Sequence, residues 1–138
     1  MVVLIDTNII VDFLMKREPY AEEAIKIIEL CNQKKISGCI AAHTISNLFY
    51  ILRKEFSVLQ RREVLGALCR VFEVSGIDKK KILAALGNKD FPDFEDCLQV
   101  ECAVEAGAEY IITRNCADYV NAQVPAVEPP IFLKMMES

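Results

Sequence analysis

The chain opens on Val2-Val3-Leu4-Ile5, a β-branched-rich apolar run cut off by the polar triplet Asp6-Thr7-Asn8. A continuous apolar run bounded so sharply reads as a strand buried in a parallel sheet. Ile9, Ile10, Val11, Phe13 and Leu14 follow at helical spacing, predicting a short helix from Ile9 to about Lys16, with Thr7 or Asn8 as its cap. Pro19 suits the first turn of a second helix, Tyr20 to Asn32. Its Ala21, Ala24, Ile25, Ile28 and Leu30 form an apolar stripe, and Lys34 and Lys35 lie where the helix dipole favours cations. Gly38 to Ala42 reads as a second strand. Ile45, Leu48, Phe49 and Leu52 mark a third helix begun by His43 or Thr44, and a fourth runs from about Val58 to Phe72.

Phe72-Glu73-Val74 reads as a short edge strand. Asp78 caps a helix through Leu86 that Gly87-Asn88 stops. Asp93 caps another, opened by Phe94 and closed by Gly107-Ala108, with Leu98, Val100, Cys102, Ala103 and Ala106 pointing inward. Glu109 to Thr113 is the next buried strand, Val124 to Val127 a last apolar piece, and Pro129-Pro130 open a terminal helix. Strands alternating with helices argue a three-layer α/β/α domain around a parallel sheet of four or five strands. No repeat, low-complexity tract or linker divides it, so residues 1–138 form a single domain.

The polar residues at strand ends and helix starts carry the chemistry. Open α/β sheets place ligands at the carboxyl ends of their strands, which is where Asp6 stands. Capping alone would explain Asp6, and helix-dipole chemistry alone would explain Asp93. Asp96 is different: three residues into its helix, on the turn carrying Cys97 and Val100, it is set to face the sheet mouth. Asn115 and Asp118 follow the late strand. Bringing Asp6, Asp96 and Asp118 together is repulsive unless a cation neutralises them. Mg²⁺ or Mn²⁺ does so with oxygen ligands and retained waters, and such an ion can activate a water and stabilise charge on a phosphate being cleaved. Oxygen ligands require neither histidine nor cysteine, and His43 is the only histidine.

Composition narrows the setting. The net charge of −4 argues against indiscriminate coating of nucleic acid but leaves room for a local basic groove. Arg53, Lys54, Arg61 and Arg62 form one basic cluster, either a solvated helix surface or a phosphate-contacting rim. No apolar run reaches the roughly 18 residues of a membrane span, and the amino terminus lacks a basic leader, which places the protein in the cytoplasm, away from membranes. Six cysteines without CxxC spacing, beside one histidine, argue against zinc and read as small buried hydrophobes.

Three segments, Leu4-Ile5-Asp6-Thr7-Asn8, Asp93-Phe94-Glu95-Asp96-Cys97-Leu98-Gln99 and Ile112-Thr113-Arg114-Asn115-Cys116-Ala117-Asp118-Tyr119, resemble the most recognisable segments of PIN domains. These are small metal-dependent ribonucleases, many of them the toxin half of bacterial toxin–antitoxin pairs. The likeness runs in order from the first strand to about Tyr119. It implies catalytic, metal-binding acids at Asp6 and Asp96, with Asp118 or Asn115 at the fourth position. Thr7, Asn8 and Thr113 would hold ligands and water in place. RNA would be the substrate, with Arg53, Lys54 and Arg114 as candidate contacts, and an antitoxin or a second copy of the chain as a protein partner.

One departure stands out. PIN domains usually carry a second acid early in the helix after the second strand, where this chain has Asn47. An amide ligates through its carbonyl but adds no negative charge, so the alternative is a catalytically weak or inactive PIN-like module that binds RNA or protein. Asp93 or Glu95, turned into the cleft, would compensate. Other α/β families that phosphorylate an aspartate fit worse: a haloacid-dehalogenase-like phosphatase needs an acid where Asn8 stands, and a receiver domain needs a lysine where Thr113-Arg114-Asn115 follows the late strand.

Overall fold

The computed structural model describes residues 1–137. Five strands, β1 (Val2–Ile5), β2 (Ser37–Ala41), β3 (Glu73–Ser75), β4 (Tyr110–Ile112) and β5 (Ala126–Val127), form one parallel sheet in the order β3-β2-β1-β4-β5. Seven helices connect and flank them: α1 (Thr7–Met15), α2 (Ala21–Asn32), α3 (Ala42–Ile51), α4 (Val58–Val71), α5 (Lys79–Gly87), α6 (Phe94–Ala106) and α7 (Pro129–Glu137). The expected three-layer parallel architecture is what forms. Among the described residues no helix is long and apolar enough to cross a membrane.

The side-chain alternation of β1 feeds two cores. Val3 and Ile5 pack with Ile9, Ile10, Ile27, Leu48 and Phe132 on one face, while Leu4 packs with Cys39, Ile111, Leu98 and Cys102 on the other. The second layer comes close at Gly38, which pairs with Val3. A Cβ there would lie 2.6 Å from Cys31 Sγ and 2.8 Å from the Phe72 ring, so only glycine lets α2 and the entry to β3 approach the strand. Gly107, at φ 69°, gives α6 the left-handed residue that ends it.

Several boundaries differ from the sequence expectation, each for a local reason. The cap of α1 is Asp6 itself, accepting the Thr7 amide at 2.7 Å, rather than Thr7 or Asn8. The third helix begins at Ala42, directly off β2, before either polar residue expected to start it. In α2 the buried stripe includes Ile27 and Cys31 in place of Ile25 and Leu30, which are half-buried. Cys116–Tyr119 is a 3-10 turn too short to leave a period in the sequence. All six cysteines are free; four are buried as expected, but Cys69 on α4 is exposed.

Chain direction across the sheet reverses between β1 and β4. On one side of β1 the strands run β2, β3; on the other they run β4, β5. A crevice opens at such a switch point, outside the carboxyl ends of the strands. Asp6 leaves β1 there and Thr113 leaves β4.

Candidate active site

Asp6 is 7% exposed, yet among the described residues it has no cationic partner. Neutral donors hold it instead. Oδ1 accepts from the Thr7 amide at 2.7 Å and from Gln99 Nε2 at 3.1 Å; Oδ2 accepts from Thr113 Oγ1 at 2.8 Å, Tyr119 Oη at 3.2 Å and, more loosely, Asn8 Nδ2 at 3.4 Å. These donors come from α1, α6 and the segment after β4, so the carboxylate is pinned by most of the elements meeting at the crevice. Burial raises its pKa above the ordinary 3.8, and the charge of Asp118 adds to that, while the hydrogen bonds from Thr113, Thr7 and Tyr119 work the other way.

Asp96, in the first turn of α6, reaches the same place. Tyr119 Oη lies 3.2 Å from Asp96 Oδ1 and 3.2 Å from Asp6 Oδ2, so one buried phenol spans two carboxylates brought together across 90 residues of sequence. Burial foremost, then the charges of Asp93, Asp6 and Asp118, pushes the Asp96 carboxyl up to about 6. Burial and the two carboxylates push the Tyr119 phenol far above its usual value, so it stays a proton donor. It has one proton to give and two acceptors. Asp118, one residue earlier on the 3-10 turn, is exposed and acts on Asp6 and Asp96 through its charge.

The remaining candidates sort by position. Asp6, Thr7, His43, Asn47, Glu95, Asp96 and Gln99 line one cavity of about 260 Å³. Asn47 Nδ2 donates to Glu95 Oε2 at 3.3 Å across its rim, so the amide on α3 draws the Glu95 carboxylate into the cleft wall. Asp93 stays a cap, accepting the Asp96 amide at 2.9 Å. Asn8 donates to Thr113 at 3.3 Å as well as to Asp6, and Thr113 Oγ1 accepts the Asn115 amide at 3.0 Å; Asn115 itself is exposed. Arg53 lies 3.8 Å over the ring of Tyr50, a cavity-lining residue, which puts a cation at the rim; Lys54 beside it is exposed.

Arg114 is a correction. Its Nε and Nη2 donate to Asp12 at 2.6 and 3.2 Å, and its guanidinium lies 4.0 Å over the Tyr20 ring. It neutralises a buried carboxylate on α1 rather than waiting for a phosphate. The cavity beside it, with Tyr20, Asn115 and Glu128, is separate from the one containing the acids.

Three cleft residues carried no individual role in the sequence expectation: Gln99, Tyr119 and His43. Gln99 had a signal, as a lone amide in the apolar run Cys97-Leu98-Gln99-Val100. Tyr119 had none, since an aromatic after a strand looks like core. His43 is half-buried with its Nδ1 enclosed and unpartnered; burial lowers its pKa against the pull of Glu95, leaving a neutral imidazole at neutral pH.

The three-acid centre expected from sequence contracts to a pair. Among the described residues no three His, Cys, Asp or Glu side chains gather closely enough to hold a metal ion together. The Asp6–Asp96 pair still fits a small hard cation. Mg²⁺ is commonly bound by one or two carboxylates plus waters and substrate phosphate. Burial, foremost, and the charge of neighbouring acids raise both carboxyls, and a cation bound here would offset both effects.

Residues 2–117 match the family model described as PIN domain. A curated relative, "Ribonuclease VapC1" of Aquifex aeolicus, is 23% identical over 124 residues, covering 85% of this chain and 83% of that protein. Among solved structures, the VapBC2 complex of Rickettsia felis bound to a promoter DNA fragment aligns with TM-score 0.66 and 18% identity, covering 93% of this chain and 98% of that one. A toxin–antitoxin complex from Klebsiella pneumoniae aligns with TM-score 0.68 and 22% identity, covering 92% and 97%. At these identities the structural likeness speaks for the fold, and the family match covers most of the sequence. With its acids at the switch point of a five-stranded parallel sheet, the chain belongs to the PIN domain family.

Proposed function

We propose that the chain is a divalent-metal-dependent endoribonuclease acting in the cytoplasm, the toxic member of a pair held in check by an antitoxin. The observation that carries this reading is the Asp6–Asp96 pair, two half-to-fully buried carboxylates joined through Tyr119 with no ion pair to either among the described residues. A relative whose name is ribonuclease and neighbours that are toxin–antitoxin complexes support it.

A magnesium or manganese ion bound here would supply a Lewis acid for the scissile phosphate and a more acidic water. Asp6 and Asp96 would hold it. Thr7, Asn8 and Thr113 keep Asp6 from turning away, Asp118 adds negative charge at the mouth, and Asn47 presents an amide on the opposite wall. Arg53, stacked on Tyr50, offers the RNA backbone a cation at the rim. For the antitoxin, a groove of about 460 Å³ lined by Phe13, Leu14, Ile28, Val64 and Leu68 supplies an apolar surface.

The test is incubation of the purified chain with end-labelled single-stranded RNA and Mg²⁺ or Mn²⁺, beside Asp6→Asn. Cleavage by the parent alone is expected. Equal cleavage by both, or none with any metal, overturns the nuclease reading. A second reading, an RNA-binding module that does not cut, draws on Asn47, whose amide is engaged with Glu95 where an acid was expected. RNA retention that survives chelation and Asp6→Asn, without products, would select it. Co-purification with the product of an adjacent reading frame tests the partner.

A further inference from the structure

Gln99 sits one turn beyond Asp96 on α6, 3% exposed, among Cys97, Leu98 and Val100. An amide in that company loses its water and recovers only part of its hydrogen bonding. Its Nε2 donates to Asp6 Oδ1 at 3.1 Å and lies 3.5 Å from Thr44 Oγ1; its Oε1 is enclosed and has no partner. Turning the amide over would not help, because Oε1 would then face Asp6 Oδ1, acceptor against acceptor. The unsatisfied oxygen is therefore the consequence of pointing the NH₂ at Asp6. Thr44 extends the chain of contacts to Thr7 Oγ1 at 3.1 Å, linking α6, α3 and the first turn of α1 behind the carboxylate. A buried apolar side chain of the same length would pack here without an orphaned oxygen.

We infer that Gln99 is a positioning residue for the divalent cation: through its hydrogen bond to Oδ1 it fixes the rotation of Asp6 beside Asp96. The inference rests on the metal-dependent reading of the site and names a residue outside its acids. Partners behind a metal ligand typically account for 10–100-fold in metal affinity.

The chain and its Gln99→Met variant are titrated with Mn²⁺, followed by the loss of the free-ion electron paramagnetic resonance signal, and unfolded in urea without metal. The expected result is a Kd for Mn²⁺ raised about tenfold or more, with metal-free stability equal to or above the parent's and, on RNA, a lower kcat at unchanged KM. Unchanged Mn²⁺ affinity in folded Gln99→Met overturns the assignment. Should that variant fail to fold, Gln99→Asn, which keeps an amide but shortens its reach, is expected to show the same loss, and its absence is equally decisive. If the parent itself binds no Mn²⁺, the metal reading fails; if parent and variant bind alike, only the role of Gln99 does.

Discussion

Two aspartates on the same short stretch of chain are treated in opposite ways. Asp12, on α1, is 0% exposed and meets the Arg114 guanidinium in a two-pronged ion pair, with Tyr20 covering the arginine. Asp6, six residues earlier, is almost as buried and, among the described residues, receives only neutral donors, while the charges it interacts with are those of other acids. A buried carboxylate that serves the fold is given its cation by the chain itself. One left among like charges keeps its demand for a cation open, and that demand is what a binding site consists of.

The comparison breaks most visibly at its functional half. Asp6→Asn can keep the cap through one oxygen but replaces the acceptor of Thr113, Tyr119 and Asn8 by a donor and removes the charge, so RNA cleavage is expected to fall at least about a thousandfold, the several kcal/mol that a bound metal contributes. Metal-free stability should hold or rise as repulsion with Asp96 and Asp118 is relieved; cleavage assays and urea melts on one preparation check both. Arg114→Met attacks the structural half. It strands Asp12 with no route to water, and urea denaturation should show a loss of about 3–5 kcal/mol. Asp12→Asn should lose less, because Arg114 is 23% exposed and can turn outward.

Acidity sharpens the contrast. The Asp96 carboxyl stands near 6 in the folded chain against 3.8 when unfolded, so the folded state binds the proton more tightly. Metal-free stability should therefore be greatest below about pH 4 as far as this group is concerned, and decline as pH rises through 6. Metal affinity and cleavage run the opposite way, falling as pH drops below about 6, because the protonated carboxyl does not ligate. Tyr119→Phe removes the phenol that lowers Asp96, and should move the acid limb of the cleavage profile to higher pH. The smallest effect is expected at the exposed Glu22–Lys26 pair, 3.3 Å apart on α2: Glu22→Ala should change stability by no more than about 0.5 kcal/mol.

How much of this could be read from the sequence follows from what each residue answers to. Asp6, Asp93 and Asp96 stand at a strand end or a helix start, positions that local pattern marks, and their places were legible. So was the sheet, since Val2–Ile5 and Tyr110–Ile112 are apolar throughout. Arg114 was misassigned because its partner lies 102 residues away, and nothing local tells an arginine at a rim from one folded back onto a buried acid. Tyr119 was invisible for the same reason: its hydroxyl matters only where β1 and α6 converge. Arg61, expected with the basic cluster, donates to the Phe49 carbonyl at 2.7 Å and lies 4.3 Å over its ring, closing the end of α3.

β1 lies in the middle of the sheet, with neighbours drawn from residues 37–39 on one side and 110–112 on the other. A ribosome-bound fragment thus carries Asp6 long before it owns Thr113 or Tyr119, and the cleft closes only when residues 113–119 have emerged. A copy that stops just before residue 113 carries both Asp6 and Asp96 but lacks the Thr113 and Tyr119 donors that hold them together.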